Sequence, residues 1–176
     1  MKNPLAAALF SDARSAEISE DDDIYGRLVG RWTVEVRDYE ANGDVIAGSG
    51  EWAFGRVLEG RAIQDVWIAP EPAARSGIGS SGKPIRNRYG TSLRYFDTKQ
   101  KIWRVIWVNP VSGVQNELTG RRVGNDIVQV GVYSGRSIRW CFRDITPDSF
   151  RWTGESLGDD AMSWNLEAEF LARRLE

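Results

Sequence analysis

Residues 102–109 read Ile102-Trp103-Arg104-Val105-Ile106-Trp107-Val108-Asn109, and the alternation in this stretch decides the fold class. Two tryptophans and a valine occupy every second position, which is the spacing of side chains on one face of a β-strand. The same period of two recurs at 32–36, 138–142 and 164–170. From residue 30 onward the period is two rather than 3.6, so the sequence predicts a series of half-buried strands.

Turn residues separate these alternating segments and set the number of strands. Most connections are too short for the crossover that parallel strands need, so we expect antiparallel pairing. A sheet of about ten strands curls, and closure removes its unpaired edges. We therefore expect an all-β protein, a ten-stranded antiparallel up-and-down barrel, with a β-sandwich as the alternative. The predicted strands are 31–39, 46–58, 61–69, 88–96, 102–109, 114–123, 127–133, 136–145, 149–157 and 162–173.

Two segments fall outside this pattern. Residues 1–23 are predicted to precede a barrel domain at 24–176, with a short helix over Pro4–Ala16 and a solvated acidic connector at Glu20–Asp23. The connection from Ala69 to Asn87 contains three Pro, three Gly and three Ser. A connection of this length predicts either a mobile surface loop or a functional lid.

Composition excludes several classes of protein. The chain of 176 residues suits one domain, and it contains no histidine, so histidine-based catalytic triads and histidine metal ligands are excluded. The single cysteine, Cys141, forms neither an intramolecular disulfide nor a multi-cysteine metal site. We expect no metal, no cofactor and, given the reducing compartment that one free thiol suits, a cytoplasmic protein.

Charge and hydropathy also limit the partners. The net charge of −2 gives no basic field for nucleic acid. The apolar stretch at 5–10 is too short to cross a membrane and lacks the flanks of a signal peptide. We therefore expect no nucleic-acid partner and no membrane partner.

The segment Leu28-Val29-Gly30-Arg31-Trp32 resembles the Gly-x-Trp start of lipocalin-type (calycin) barrels. In that family the tryptophan closes one end of the barrel, and an arginine near the last strand packs over it. The resemblance implies structural roles for Gly30, Trp32 and, as the best match, Arg173, with Arg174 next. Haem-binding calycin barrels hold iron through a histidine, which this chain lacks, so the resemblance does not imply haem.

Three further segments, 89–97, 103–110 and 144–152, resemble an uncharacterised bacterial group of calycin-like domains. That group has no established activity. This resemblance therefore implies a lipocalin-like fold for residues 24–174 and no particular reaction.

Aromatic residues and isolated polar residues on the strand faces are the candidate ligand contacts, because small-molecule sites are mostly apolar with a few polar groups. The period of two does not reveal which strand face lies inside. We predict binding of a small apolar or aromatic molecule in a barrel cavity. The predicted ligand-binding residues are Trp52, Phe54, Asp65, Trp67, Arg94, Trp103, Trp107, Asn109, Trp152 and Glu155.

Two other functions stay open. Asp65 and Glu155 could act as acid and base in a metal-independent enzyme if both open into one cavity. A filled barrel could instead be an interaction module, including a homodimer. Cys141, between Trp140 and Phe142, is predicted to be a buried thiol rather than a nucleophile. The sequence favours binding over catalysis.

Overall fold

Ten antiparallel strands form a closed barrel in the computed structural model, which describes residues 3–70 and 88–175. Each strand pairs with its neighbour in sequence, and β1 pairs with β10 to close the sheet. This confirms the predicted all-β up-and-down barrel and excludes the sandwich. The strands are β1 (Gly30–Tyr39), β2 (Val45–Val57), β3 (Ala62–Ala69), β4 (Arg88–Asp97), β5 (Ile102–Asn109), β6 (Val114–Val123), β7 (Asp126–Tyr133), β8 (Arg136–Arg143), β9 (Ser149–Leu157) and β10 (Trp164–Arg174).

The N-terminal helix, α1 (Pro4–Leu9), is shorter than the sequence predicts. The Asn3 side chain caps its first turn. The helix ends before Phe10 because Phe10 is extended and forms a β-bridge with Val57 of β2. The remainder of the predicted helix, up to Ala16, is irregular chain. No helix among the described residues is long and apolar enough to cross a membrane.

A 3-10 helix (Gly26–Leu28) lies at one end of the barrel, which we call the closed end. Tyr25 and Leu28 are fully buried there. The Asp23 carboxylate lies 2.5 Å from Arg56 of β2, and its side chain is only 10% exposed. The predicted solvated connector is therefore wrong at Asp23, because this carboxylate forms an ion pair with the barrel wall.

Arg174, rather than the predicted Arg173, packs over Trp32, with its guanidinium carbon 4.0 Å from the centre of the indole ring. Trp32 and Arg174 are cross-strand partners, and successive side chains on a strand point to opposite faces, so Arg173 is exposed on the outer wall. Trp32 donates its indole N–H to the Leu28 carbonyl at 2.8 Å. Gly30 has a φ of +134°, and a Cβ there would collide with the Arg174 guanidinium. Gly30 thus leaves room for this closure.

Aromatic rings fill the half of the barrel next to the closed end. Trp52 is 1% exposed, and its ring centre lies 4.8 Å from that of Phe54, 5.5 Å from that of Phe142 and 5.7 Å from that of Phe150. These separations are typical of favourable aromatic pairs. This half of the interior is a packed core.

A β-bulge interrupts β10 at Glu167. Leu166 pairs with Glu155 of β9 and Ala168 pairs with Gly154, so Glu167 has no partner on β9. The predicted alternation along 164–170 is wrong at this point, because the additional residue moves Leu166 to the outer wall while Ala168 stays inside. The bulge lies at the end of the barrel opposite the 3-10 helix, which we call the open end.

Candidate functional site

The open end contains a cavity of 550 Å³, a volume typical of small-molecule sites. Seven strands and the turn between β5 and β6 contribute to its wall. Four tryptophans form much of the apolar part of the wall. The residues that line it are Trp67, Arg88, Trp107, Asn109, Val111, Ser112, Val114, Trp140, Trp152, Gly154, Glu167 and Ala168.

Trp67, Trp107, Trp140 and Trp152 form a closed circuit of ring contacts, which we call the tryptophan cluster. The ring centres of Trp67 and Trp107 are 5.0 Å apart, and those of Trp107 and Trp140 are 6.4 Å apart. The circuit continues from Trp140 to Trp152 at 5.8 Å and returns from Trp152 to Trp67 at 4.8 Å. Each ring comes from a different strand, so barrel closure is what assembles the cluster.

Packing, rather than hydrogen bonding, positions two of these rings. The indole N–H groups of Trp67 and Trp152 are buried and have no acceptor among the described residues. A buried unpaired donor costs about 1–3 kcal/mol. Gly154 leaves the space that the Trp152 ring occupies, since a Cβ at that position would lie 2.8 Å from Cη2 of the indole. Trp103, in contrast, donates its N–H to the Asp22 carbonyl at 2.7 Å, outside the cavity.

Arg88 reaches the cavity as one member of an ion pair. Two of its guanidinium nitrogens donate to the two carboxylate oxygens of Asp38, one of them at 3.0 Å. The two side chains are 15% and 4% exposed. The guanidinium carbon also lies 5.3 Å from the ring centre of Phe170. A two-point pair of this kind fixes the guanidinium and neutralises its charge.

A second, more polar cleft of 680 Å³ lies at the open end. It shares Glu167 with the tryptophan-lined cavity, so the bulge residue lies where the two spaces meet. Within residues 3–70 and 88–175, the Glu167 side chain has no hydrogen-bond or ion-pair partner. The polar cleft is lined by Tyr39, Glu40, Ala41, Arg136, Ser156, Asn165, Leu166 and Glu167.

The predicted ligand residues separate into groups. Trp67, Trp107, Asn109 and Trp152 line the cavity. Trp52 and Phe54 belong to the packed half, and Trp103 lies at the closed end against Tyr25, with ring centres 5.1 Å apart. Arg88, Trp140 and Glu167 also line the cavity, although the sequence pattern does not predict them as ligand-binding residues.

Asp65 and Arg94 form an ion pair inside the barrel, away from the cavity wall. The carboxylate accepts from Arg94 Nη1 at 2.6 Å, and the two side chains are 0% and 2% exposed. Asp65 also accepts from the Ser92 backbone N–H at 2.8 Å. Arg94 Nε and the Tyr25 hydroxyl donate to the same Gln129 oxygen, at 3.2 Å and 3.0 Å. Burial raises the pKa of Tyr25. These contacts join buried residues to one another and not to the cavity, so we assign the network a structural role.

Glu155 lies on the outer wall. Its carboxylate accepts from Arg139 Nε at 2.7 Å and from Arg143 Nη2 at 3.4 Å. The hypothesis of an acid–base pair between Asp65 and Glu155 is therefore wrong, because the barrel wall separates the two carboxylates. Cys141 is buried, as predicted, and burial raises the pKa of its thiol.

Two further predictions concern metals and the long connection. No group of three or more histidine, cysteine, aspartate or glutamate side chains suited to a metal ion occurs in the described part of the chain. The predicted mobile loop or lid at 69–87 falls, from residue 71 to residue 87, outside the described residues.

No protein-family model matches this chain, and no curated protein matches it by sequence. Solved structures do resemble it. Rv2717c from M. tuberculosis is 11% identical, with a TM-score of 0.56 over 90% of this chain and 99% of that chain. The S-type phycobiliprotein lyase CPES from Guillardia theta is 11% identical, with a TM-score of 0.57 over 91% of this chain and 95% of that chain. Together with the closed ten-stranded sheet, these likenesses show that the chain has a calycin-like barrel fold.

Proposed function

We propose that this protein binds a small, flat aromatic molecule in the open-end cavity. The observation that carries the proposal is the 550 Å³ space bordered by the tryptophan cluster, in a barrel whose other half is filled by side chains. Aromatic rings pair favourably in offset or edge-to-face geometry, by about 0.5–1.5 kcal/mol beyond the burial of their area. Four indoles around one cavity therefore favour an aromatic guest over an aliphatic chain.

The polar residues of the wall support a ligand that is not purely hydrocarbon. Asn109 and Ser112 lie on one side of the cavity, and Arg88 and Glu167 complete its polar part. Such sites use a few polar groups to orient a mostly apolar ligand. The likeness to a phycobiliprotein lyase supports this proposal at the level of the fold alone, since 11% identity does not carry a ligand from one barrel to another.

A fluorescence titration with 1-pyrenebutanol tests the proposal, because excitation of tryptophan at close range transfers to the pyrene. We expect saturable binding of one probe per chain. Val114→Phe should weaken binding at least tenfold, since Val114 lines the cavity and a larger side chain occupies part of it. Val130→Phe is the matched control, because Val130 is 47% exposed on the outer wall.

Two outcomes of the titration would contradict the proposal. If 1-pyrenebutanol shows no saturable transfer, or if Val114→Phe and Val130→Phe bind it equally well, the cavity is not the binding site. Circular dichroism of both variants establishes that the barrel is intact in each case.

A further inference from the structure

The cavity has a marked asymmetry in its charged groups. The positive charge of Arg88 is already matched by the carboxylate of Asp38, which holds the guanidinium at two points. The negative charge of Glu167 has no counterpart among the described residues. A ligand group that enters the cavity therefore meets one compensated cation and one uncompensated carboxylate.

The position of Glu167 depends on the β10 bulge. Because Glu167 has no Cα partner on β9, its side chain leaves the strict inside–outside alternation and lines both the tryptophan-lined cavity and the polar cleft. Bulges at barrel rims commonly redirect a side chain in this way. On a regular strand, Leu166 and Ala168 would lie on the same face and Glu167 on the opposite face. The bulge instead leaves Leu166 on the outer wall and Ala168 inside.

The tryptophan cluster, like the Glu167 carboxylate, favours a positively charged ligand group. An indole ring carries negative potential on its face, and tryptophan is the aromatic residue that attracts cations most strongly, by about 0.5–1 kcal/mol at exposed sites and more in dry ones. Four such rings border the cavity that Glu167 lines. Indole faces next to a carboxylate are the combination that recognises organic ammonium groups.

We propose that Glu167 and the tryptophan cluster select a ligand with a positively charged group, an aromatic body bearing a quaternary or protonated amine. This inference rests on the proposed binding function and names the chemical class of its ligand. The aromatic body lies in the cavity, against the indoles that line it. The cationic group lies at Glu167, where the cavity meets the polar cleft.

Three probes with one aromatic body test the inference: 1-pyrenebutyltrimethylammonium, 1-pyrenebutanol and 1-pyrenebutyrate. We expect the ammonium probe to bind about tenfold more tightly than the alcohol, the combined effect of cation–π attraction and one partly exposed ion pair. The butyrate should bind most weakly. The preference for the ammonium should decrease at high salt, because Glu167 is exposed to solvent.

The decisive variant is Glu167→Gln. It should reduce the ammonium-over-alcohol ratio about fivefold, and saturable binding of the alcohol by the variant shows that the site is intact. Glu35→Gln is the matched control, because Glu35 is exposed on the outer face of β1 and the variant changes the net charge equally. Glu35→Gln should leave the ratio unchanged.

Each other outcome has a definite meaning. An unchanged ammonium-over-alcohol ratio in Glu167→Gln, or tighter binding of the butyrate than of the ammonium, would overturn the inference while the binding function stands. Failure of all three probes to bind would overturn the binding function, and with it the inference.

Discussion

The guanidinium of Arg174 lies 4.0 Å above the centre of the Trp32 ring and closes the barrel. Arg174 also donates to the Val29 carbonyl at 2.8 Å, to the Arg27 carbonyl at 3.2 Å and to the Pro147 carbonyl at 2.5 Å. One side chain at the end of β10 thus connects the segment before β1 with the turn before β9. It joins the first and last strands of the sheet where the 3-10 helix covers the end.

Removal of this contact should destabilise the whole barrel. We expect Arg174→Ala to lower the free energy of unfolding by about 2 kcal/mol, because it removes a cation–π contact and charged hydrogen bonds to backbone carbonyls. Arg173→Ala, on the exposed outer face, should change it by less than about 0.5 kcal/mol. Urea unfolding of both variants makes the comparison. Equal destabilisation by the two substitutions would contradict the assignment of the closing arginine to position 174.

The buried pair of Asp65 and Arg94 should be essential to stability and have no role in ligand affinity. Asp65→Asn leaves the Arg94 charge uncompensated in a site where its side chain is 2% exposed, so we expect a loss of about 3–5 kcal/mol. Replacement of both partners, as in Asp65→Leu with Arg94→Met, should recover much of this loss.

Thermal denaturation measures the stability of these variants, and the pyrene titration measures binding by the folded fraction. A loss of less than about 1 kcal/mol in Asp65→Asn would show that the pair is not an important structural element. An altered affinity in the folded double variant would show that the pair does reach the ligand.

Tyr25 should make the protein sensitive to alkaline pH. Burial raises the pKa of its hydroxyl above the ordinary value of about 10. The folded protein therefore retains this proton at pH values where the unfolded chain releases it, so stability is unaffected below about pH 10 and decreases as the pH rises beyond it. In Tyr25→Phe the decrease should be shallower, although the variant is less stable at neutral pH because the hydrogen bond to Gln129 is lost.

Denaturant unfolding across a series of alkaline pH values measures this slope. Tyr95→Phe is the control, because Tyr95 is 42% exposed on the outer wall, and its slope should match that of the wild type. The account of Tyr25 fails if the Tyr25→Phe protein loses stability as steeply as the wild type above pH 10.

The strand pattern could be predicted from the sequence nearly to the residue. The alternation at 102–109 and 114–123 gives the observed bounds of β5 and β6, because half-buried strands separated by short turns leave a local signal. Trp103 and Trp107 show why the site could not be predicted as well. They share one face of β5, but Trp103 lies at the closed end and Trp107 in the cavity. Alternation reveals which strand face a residue lies on, but not whether the residue is near the closed end or the open end of the barrel.

The charged residues of the site could not be predicted from the sequence for a different reason. Arg88 and Asp38 are 50 positions apart and meet only because the closed sheet brings β4 near β1, with β2 and β3 between them in the strand order. Glu167 reaches the cavity through a single additional residue in β10, which a period of two does not reveal. Arg173 was the better family match for the closing arginine, but the β1–β10 register selects Arg174.

The indole N–H resonances in a two-dimensional 15N NMR spectrum test the central claim most directly. The chain has eight tryptophans, and single Trp→Phe variants assign their signals. Addition of 1-pyrenebutanol should shift the signals of the tryptophan cluster. The signals of Trp32 and Trp103, which are hydrogen-bonded at the closed end, should not move. Shifts confined to Trp32 and Trp103, or no shift in the cluster at saturating probe, would contradict a binding site at the open end.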